Sequence, residues 1–451
     1  MISSNPAAPG RPMSALGVLR NPRSWLIPGV VLTSAIFAIT LVFAGSVANP
    51  SADLHEAPIG LVNLDTGPDG LGAAVSIGIE QQPQQPADSV RWHRYDNLDA
   101  VRADLADNKL FAAVVLPPDY SAGLESLPTS SPHRPRITVL TNPGTGTMAA
   151  ELGARIAESA ARAGSVAAAA HTAPRASAAI PAANAELLAD PVTVTEEAAV
   201  PLGARTGNGM TAFFYALLLM MVGFLGANVI NGMIDAELGF AATEFGPLRK
   251  FSAPRLIDRS QTFAAKAAVM VVVACTGSTA ILGASAAVLH LDLPHAGTLW
   301  LFGVLAISAV GIGTLAAVTL LGPLGIVLGM IFFIGWSIPV SGGAIPLQAM
   351  PPFWRWLGGF EPMRAIADGT RAITYFDAHA AAGLSRALVT LAVGLAIGLL
   401  VGVAGNIGYD RSGMHRINPH AIPHIHDLMQ RMTPHRHRGE RTRSVSPADL
   451  R

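Results

Sequence analysis

Residues 25–47 read WLIPGVVLTSAIFAITLVFAGSV, an uncharged apolar run of 23 residues. A helix rises about 1.5 Å per residue and the hydrocarbon core of a bilayer is about 30 Å thick, so this run is long enough to cross a membrane. The GSVANP that closes it (45–50) offers a small-residue cleavage site. The apolar run nevertheless exceeds the roughly 7–15 residues of a signal-peptide core, and it is expected to stay as a first transmembrane helix. Five more windows of spanning length follow, at 212–233, 263–289, 298–321, 325–345 and 387–407. Gly322-Pro323 separates the fourth span from the fifth by a break short enough for a helical hairpin, and Pro339 with Gly342-Gly343 predicts a broken or re-entrant fifth span.

The whole composition agrees. It is 51% hydrophobic and 13% charged, against roughly 25% charged in an ordinary soluble domain. Arg supplies 27 of the 30 basic residues, and with abundant Ala and Gly this is a composition associated with bacterial genomes rich in GC. Orientation follows the Arg and Lys residues that flank the spans. Arg11, Arg20 and Arg23 precede the first span, Arg249, Lys250, Arg255 and Arg259 follow the second, and Arg411 opens an Arg-rich stretch after the sixth. The segment HLDLPHA (290–296) between the third and fourth spans has no Arg or Lys. Both termini, 1–24 and 408–451, and the loop 234–262 are therefore expected in the cytoplasm. The loops 48–211 and 347–385 are expected outside a bacterial plasma membrane.

The long segment 48–211 has a different pattern. It is acidic, with 18 Asp and Glu against 10 Arg and Lys between residues 51 and 205. IGLVNL, SVRWHRY, FAAVVLP and RITVLTN are strand candidates, and Leu98, Val101 and Leu105 share one face of a helix that Asp96 or Asn97 can cap. PDYSAGLESL reads as a further short helix. An α/β or α+β core is expected over 58–147, followed over 148–205 by an Ala-rich helix, projecting as a stalk, and a linker. The fold class is thus a polytopic α-helical membrane protein with six transmembrane helices and an extracytoplasmic α/β or α+β domain inserted between helices 1 and 2.

Candidate chemistry is sparse. Asp65-Thr66-Gly67 ends the first strand as an aspartic protease's half-site does, but that chemistry needs two carboxylates sharing a proton and the chain has no second copy. The three residues are read as a turn, Asp65 accepting local N–H groups, so Asp65→Asn is expected to leave folding largely intact. The span cores carry no Asp or Glu, and Lys266 stands near the cytoplasmic start of the third span, where it can snorkel. No G-x-x-x-x-G-K-[ST] loop is present, so an energy source would have to come from a partner. Cys275 is the single cysteine, and His415, His420, His424, His426, His435 and His437 are irregularly spaced, so no metal or cofactor is expected. No basic domain suggests nucleic acid, and no enzyme activity is expected. Asn228 and Asn231 lie one turn apart, and Gly325 with Gly329 and Gly394 with Gly398 and Gly402 keep small-residue spacing, all read as helix-packing positions. The loop MPPFWRWLGGFEPMRAIADGTRAITYF (350–376) mixes aromatic and basic residues as interfacial helices do.

With PIGLVNLDTG (58–67), LDAVRADLADNKLFAAVVLPPDYSAGLESL (98–127), GNGMTAFFYALLLMMVG (207–223) and PPFWRWLGGFEPMRAIADGTR (351–371), the chain resembles the phage-infection-protein-like (YhgE/Pip-type) branch of the type-2 ABC exporter permeases. The likeness covers nearly the whole chain, without the long coiled-coil insertions of many relatives. It implies outward movement of an amphiphile, lipid or envelope component, a separate ATP-binding cassette ATPase subunit, a second permease chain and surrounding membrane lipids. ATP would be used only by the partner. On that reading Glu237, Glu244, Arg249, Lys250, Arg255 and Arg259 are candidates to contact the ATPase. The same resemblance carries another implication, a cell-envelope receptor or secretion-system scaffold without transport.

Overall fold

The computed structural model describes residues 19–46, 49–68, 70–82, 86, 88–172, 184–245, 248–250, 253, 255, 257–343 and 345–414. The N-terminal tail up to residue 18, the linker 173–183 and the His-rich tail from 415 lie outside the described residues.

Among the described residues, six helices are long and apolar enough to cross a membrane: Gly29–Ser46, Met210–Glu237, Arg259–Val288, Ala296–Leu321, Pro323–Val340 and Ala380–Arg411. The protein is a multi-pass membrane protein, mostly helical, with a small mixed sheet. The first of these helices belongs to α1 (Arg23–Ser46), and all the strands of the larger sheet follow it in sequence and precede the second.

That sheet has the order β2-β1-β3-β4-β5, from β1 (Ala57–Asn63), β2 (Val90–Tyr95), β3 (Ala112–Leu116), β4 (Arg136–Thr141) and β5 (Thr193–Ala198). β1 is parallel to β2 and to β3, β3 is antiparallel to β4, and β4 is parallel to β5. Alternation along the strands divides the core in two. Ile59, Leu61, Val114, Ile137 and Val139 bury against α2 (Leu71–Glu80), α4 (Tyr120–Ser126) and α5 (Thr147–Thr172). Val62, Ala113, Val115 and Leu140 bury on the other side against Val101 and Leu105 of α3 (Leu98–Ala106), which Asn97 caps by accepting the Ala100 N–H. A sheet covered by helices on both faces is the α/β arrangement.

Two expectations change here. The Ala-rich helix α5 is not a stalk: it lies along β3 and β4, and Ala157, Ala160, Ala161 and Ala168 are buried against the sheet. Its small side chains let the helix approach the strands closely. The linker also supplies a strand, β5, whose alternating Thr193-Val194-Thr195 is a β-branched run of the kind strands favour.

In the helical domain α9 (Ala296–Leu321) is central, packed by α7 (Met210–Glu237), α8 (Arg259–Gly283) and α14 (Ser385–Arg411). Side chains on the outside of this bundle stay apolar: Phe37 is 64% exposed, Val272 62% and Leu400 69%. Surface of that kind is stable against lipid. Gly322, with φ 60°, ends α9, and Pro323 starts the fifth span at a first-turn position where its missing N–H is harmless. The hairpin closes because Gly325 has no side chain; a Cβ there would stand 2.2 Å from the Ala317 carbonyl oxygen. The fifth span runs through α10 (Pro323–Met330), a π-helical segment (Ile331–Trp336) and α11 (Ser337–Val340). Pro339 cannot donate to residue 335, and the wider turn just before it relieves the clash its ring would make. The span stops at Val340, short of the expected 345, and the fold then continues through α12 (Pro352–Leu357) and α13 (Pro362–Tyr375).

Candidate functional site

Asp65 lies beyond the C-terminal end of β1, where it joins three elements. One carboxylate oxygen accepts the Ser121 N–H at 2.9 Å and the Gly67 N–H at 3.4 Å; the other accepts the Gly72 N–H at 3.1 Å and the Ser121 hydroxyl. Thr66 donates its hydroxyl to the Pro118 carbonyl at 3.2 Å. Gly67 and Gly72 are needed for clearance, since a Cβ would fall 2.3 Å from Ser121 and 2.5 Å from Asp65. The carboxylate therefore ties the strand end to the starts of α2 and α4, a wider role than a local turn. Burial alone would raise the Asp65 carboxyl, but the hydrogen bonds from Ser121, Gly72 and Gly67 outweigh it and hold it below the usual range.

At the end of the bundle remote from the sheet, α7 continues past the expected limit of 233 to Glu237 and carries Asp235 inward. Lys266 Nζ on α8 donates to Asp235 Oδ1 at 2.6 Å and to Asn231 Oδ1 at 2.7 Å. Lys266 is fully buried and does not snorkel. The ion pair was not legible because Asp235 falls just beyond the apolar window. Asn231 thus bonds between helices, whereas Asn228 donates to Phe224 in its own helix at 2.8 Å.

The candidate partner-contact residues cluster at this same end, but not equivalently. Glu237 and Arg255 form an exposed pair at 3.2 Å. Glu244 and Arg249 are backbone register partners in a two-stranded hairpin, Thr243–Phe245 with Leu248–Lys250, whose last residue is Lys250. Arg259 is drawn away: its Nε donates to the Met414 carbonyl at 2.8 Å and its guanidinium lies 5.3 Å from the centre of the Tyr409 ring. Asp410 caps α8, accepting the Arg259 and Ser260 N–H groups at 3.1 Å each. The sixth span extends beyond 407 to Arg411 and in this way locks the start of α8.

The glycines also separate. A Cβ at Gly398 would meet the Gly313 backbone at 3.1 Å, at Gly402 the Phe263 ring at 2.1 Å, and at Gly329 the Phe224 ring at 3.1 Å. These are close approaches inside one chain. Gly394 has nothing within 4 Å, and it lines an apolar groove of about 530 Å³ formed by residues such as Val310, Phe332, Phe333, Leu391 and Ile397.

Sequence reasoning missed the depth of α13. Met363, Ile366, Ala367 and Ile373 are buried in the helical core, Tyr375 accepts the Ala212 N–H at 3.2 Å, and a Cβ at Gly369 would lie 2.3 Å from the Phe302 ring. Glu361 caps this helix at Met363 N, 2.7 Å away, and also takes the Ser337 hydroxyl. Just before it Phe353, Trp356 and Phe360 are 57%, 63% and 66% exposed. Between the two domains the boundary is not clean, because Val340, Ile345, Leu347, Ala349 and Met350 are members of the sheet's own core.

A family model described as "Protein of unknown function (DUF3533)" matches residues 29–395. The chain is also similar to the "Uncharacterized protein YhgE" of Bacillus subtilis (strain 168), 24% identical over 131 residues. That stretch is 29% of this chain and 17% of the relative's length. No solved structure matches the chain.

Proposed function

The chain belongs to the DUF3533 family, and from that premise we propose that it is the permease subunit of a type-2 ABC exporter, moving an amphiphile, lipid or envelope component outward with a separate ATPase subunit and a second permease chain. On this reading the sheet domain is extracytoplasmic and both termini are cytoplasmic, in keeping with the Arg and Lys residues beside the spans. The bundle end that holds Glu237, Arg255 and the Thr243–Phe245 hairpin then faces the ATPase, with Lys266–Asp235 and Asp410 stiffening it from within.

The observation that carries the reading is the shared core. Val340 at the end of the fifth span, and Ile345, Leu347 and Met350 just after it, are buried in the sheet domain. Displacement of that span would be felt there, because packed cores transmit strain rather than absorb it. A receptor held by a passive anchor has no need of such a connection. The groove along α14 supports an amphiphilic cargo, since its walls are almost wholly apolar and Gly394 leaves open space beside them.

Purification of the tagged protein in mild detergent tests this. A co-purifying nucleotide-binding subunit whose ATP hydrolysis depends on the permease is the expected result. Complexes that never contain an ATPase, together with an unchanged phenotype when the last two spans are removed, would overturn it in favour of the receptor or scaffold.

A further inference from the structure

Where the sheet domain meets the helical domain there is a cavity of about 300 Å³. One wall comes from the turn before β3, with Asp107 and Lys109, which pair at 3.0 Å. The other comes from α13 and the start of α14, with Arg364, Asp368, Arg371 and Arg386. On that second wall three guanidinium groups share one carboxylate. Asp368 stands 3.4 Å from Arg364 Nε and 3.8 Å from Arg371 Nη1, and it is paired with Arg386.

Arg371 is the unusual member. It is 3% exposed, and its Nη2 donates to the Gly342 and Gly343 carbonyls at 2.9 and 3.3 Å. Its Nε is buried with no hydrogen-bond partner among the described residues. Space for the guanidinium exists only because Gly146, at φ 109°, lacks a Cβ, which would stand 2.9 Å from Nη2. A buried, unpaired donor on a permanently charged group is costly unless something acidic satisfies it. Asp368 is already divided among three partners.

We propose that this junction cavity binds a phosphate-bearing anionic headgroup, held by Arg386 and Arg364 at its rim and by Arg371 at its base. Guanidinium groups suit phosphate because their planar donors match its oxygens. The volume is at the lower end of small-molecule sites and takes a headgroup without acyl chains. The chains have a path: Arg386 lies one turn from Thr390 on α14, about 6 Å along the helix, and Thr390 and Leu391 begin the apolar groove. Headgroup recognition at the cavity and acyl burial in the groove describe one anionic amphiphile. Its role as cargo rests on the permease reading; the binding itself does not.

The test is binding of dioctanoyl phosphatidic acid, dioctanoyl phosphatidylcholine and inorganic phosphate to the full-length protein in uncharged detergent. Phosphatidic acid is expected to bind and phosphatidylcholine to bind much more weakly. Arg386→Gln, on a side chain 52% exposed, is expected to weaken phosphatidic acid by about tenfold, the loss of one charge-assisted hydrogen bond, with unchanged melting temperature. Inorganic phosphate binding as tightly as phosphatidic acid would support the same headgroup chemistry with a free anion as its source. Equal binding of the zwitterionic lipid, no binding of either phosphate compound, or an Arg386→Gln variant that binds phosphatidic acid normally would overturn the proposal. Arg386-dependent binding by a protein that never associates with an ATPase would leave this inference standing while the exporter reading fell.

Discussion

Lys266 Nζ and Asp235 Oδ1 stand 2.6 Å apart in the apolar interior of the helical domain, joining α8 to α7 with Asn231 as a third member. Two charges withdrawn from water compensate each other only while both are present.

Lys266→Met should therefore destabilise the protein by about 3–5 kcal/mol, because it removes the fully buried cation that Asp235 and Asn231 hold. The double variant Lys266→Met/Asp235→Leu should recover much of that loss. Thermal unfolding in detergent reads both, and a single variant as stable as the wild type would show that the pair contributes nothing.

Gly402→Ala places a methyl group 2.1 Å from the buried Phe263 ring, and overpacking of that kind should cost about 1–3 kcal/mol. Gly394→Ala meets nothing within 4 Å and should be neutral for stability. Equal melting temperatures for the two variants would contradict the packing described for α14.

Asp65→Asn should destabilise the sheet domain by about 1–3 kcal/mol, since the amide nitrogen would face N–H donors that the carboxylate now satisfies. This replaces the expectation from sequence that Asn would be tolerated. The folded carboxyl is held below its ordinary value of 3.8, so its contribution is complete above that pH and is lost as pH falls further, through the folded value. Acid unfolding should accordingly begin at higher pH in Asp65→Asn than in the wild type; coincident acid transitions would refute the role assigned to the carboxylate.

Glu361 behaves in the opposite sense. It lies between the fifth and sixth spans, and burial pushes its carboxyl up to about 8 despite opposing hydrogen bonds from Ser337, Met363 and Arg364. The folded protein keeps a proton there that the unfolded chain releases near 4.5, so stability should fall as pH rises from about 4.5 to about 8 and then level. Glu361→Gln should fold and should flatten this part of the pH profile. A variant that retains the wild-type slope would assign the dependence to another group.

Much of the fold was legible because its causes are local. A hydrocarbon core demands about 20 apolar residues per helix, so the six spans and the Gly322-Pro323 hairpin could be read from the chain, as could the first four strands from their alternation. The failures share a cause. α7, α8 and α14 are apolar on every side, so no amphipathic stripe tells which face meets which neighbour. The pairing of Asp235 with Lys266 across 31 positions, the burial of Gly398 and Gly402 with Gly394 left open, and the capping of α8 by Asp410 all depend on that rotation. The Ala-rich α5 could not be told from a solvent-exposed stalk, because Ala favours helix whatever lies beside it. By itself the sequence determined which helices are long and apolar enough to sit in lipid and which segments form the first four strands. Only tertiary packing decided which polar side chains meet, including the three arginines gathered around Asp368, because those contacts are made between helices whose facing the hydrophobic pattern leaves open.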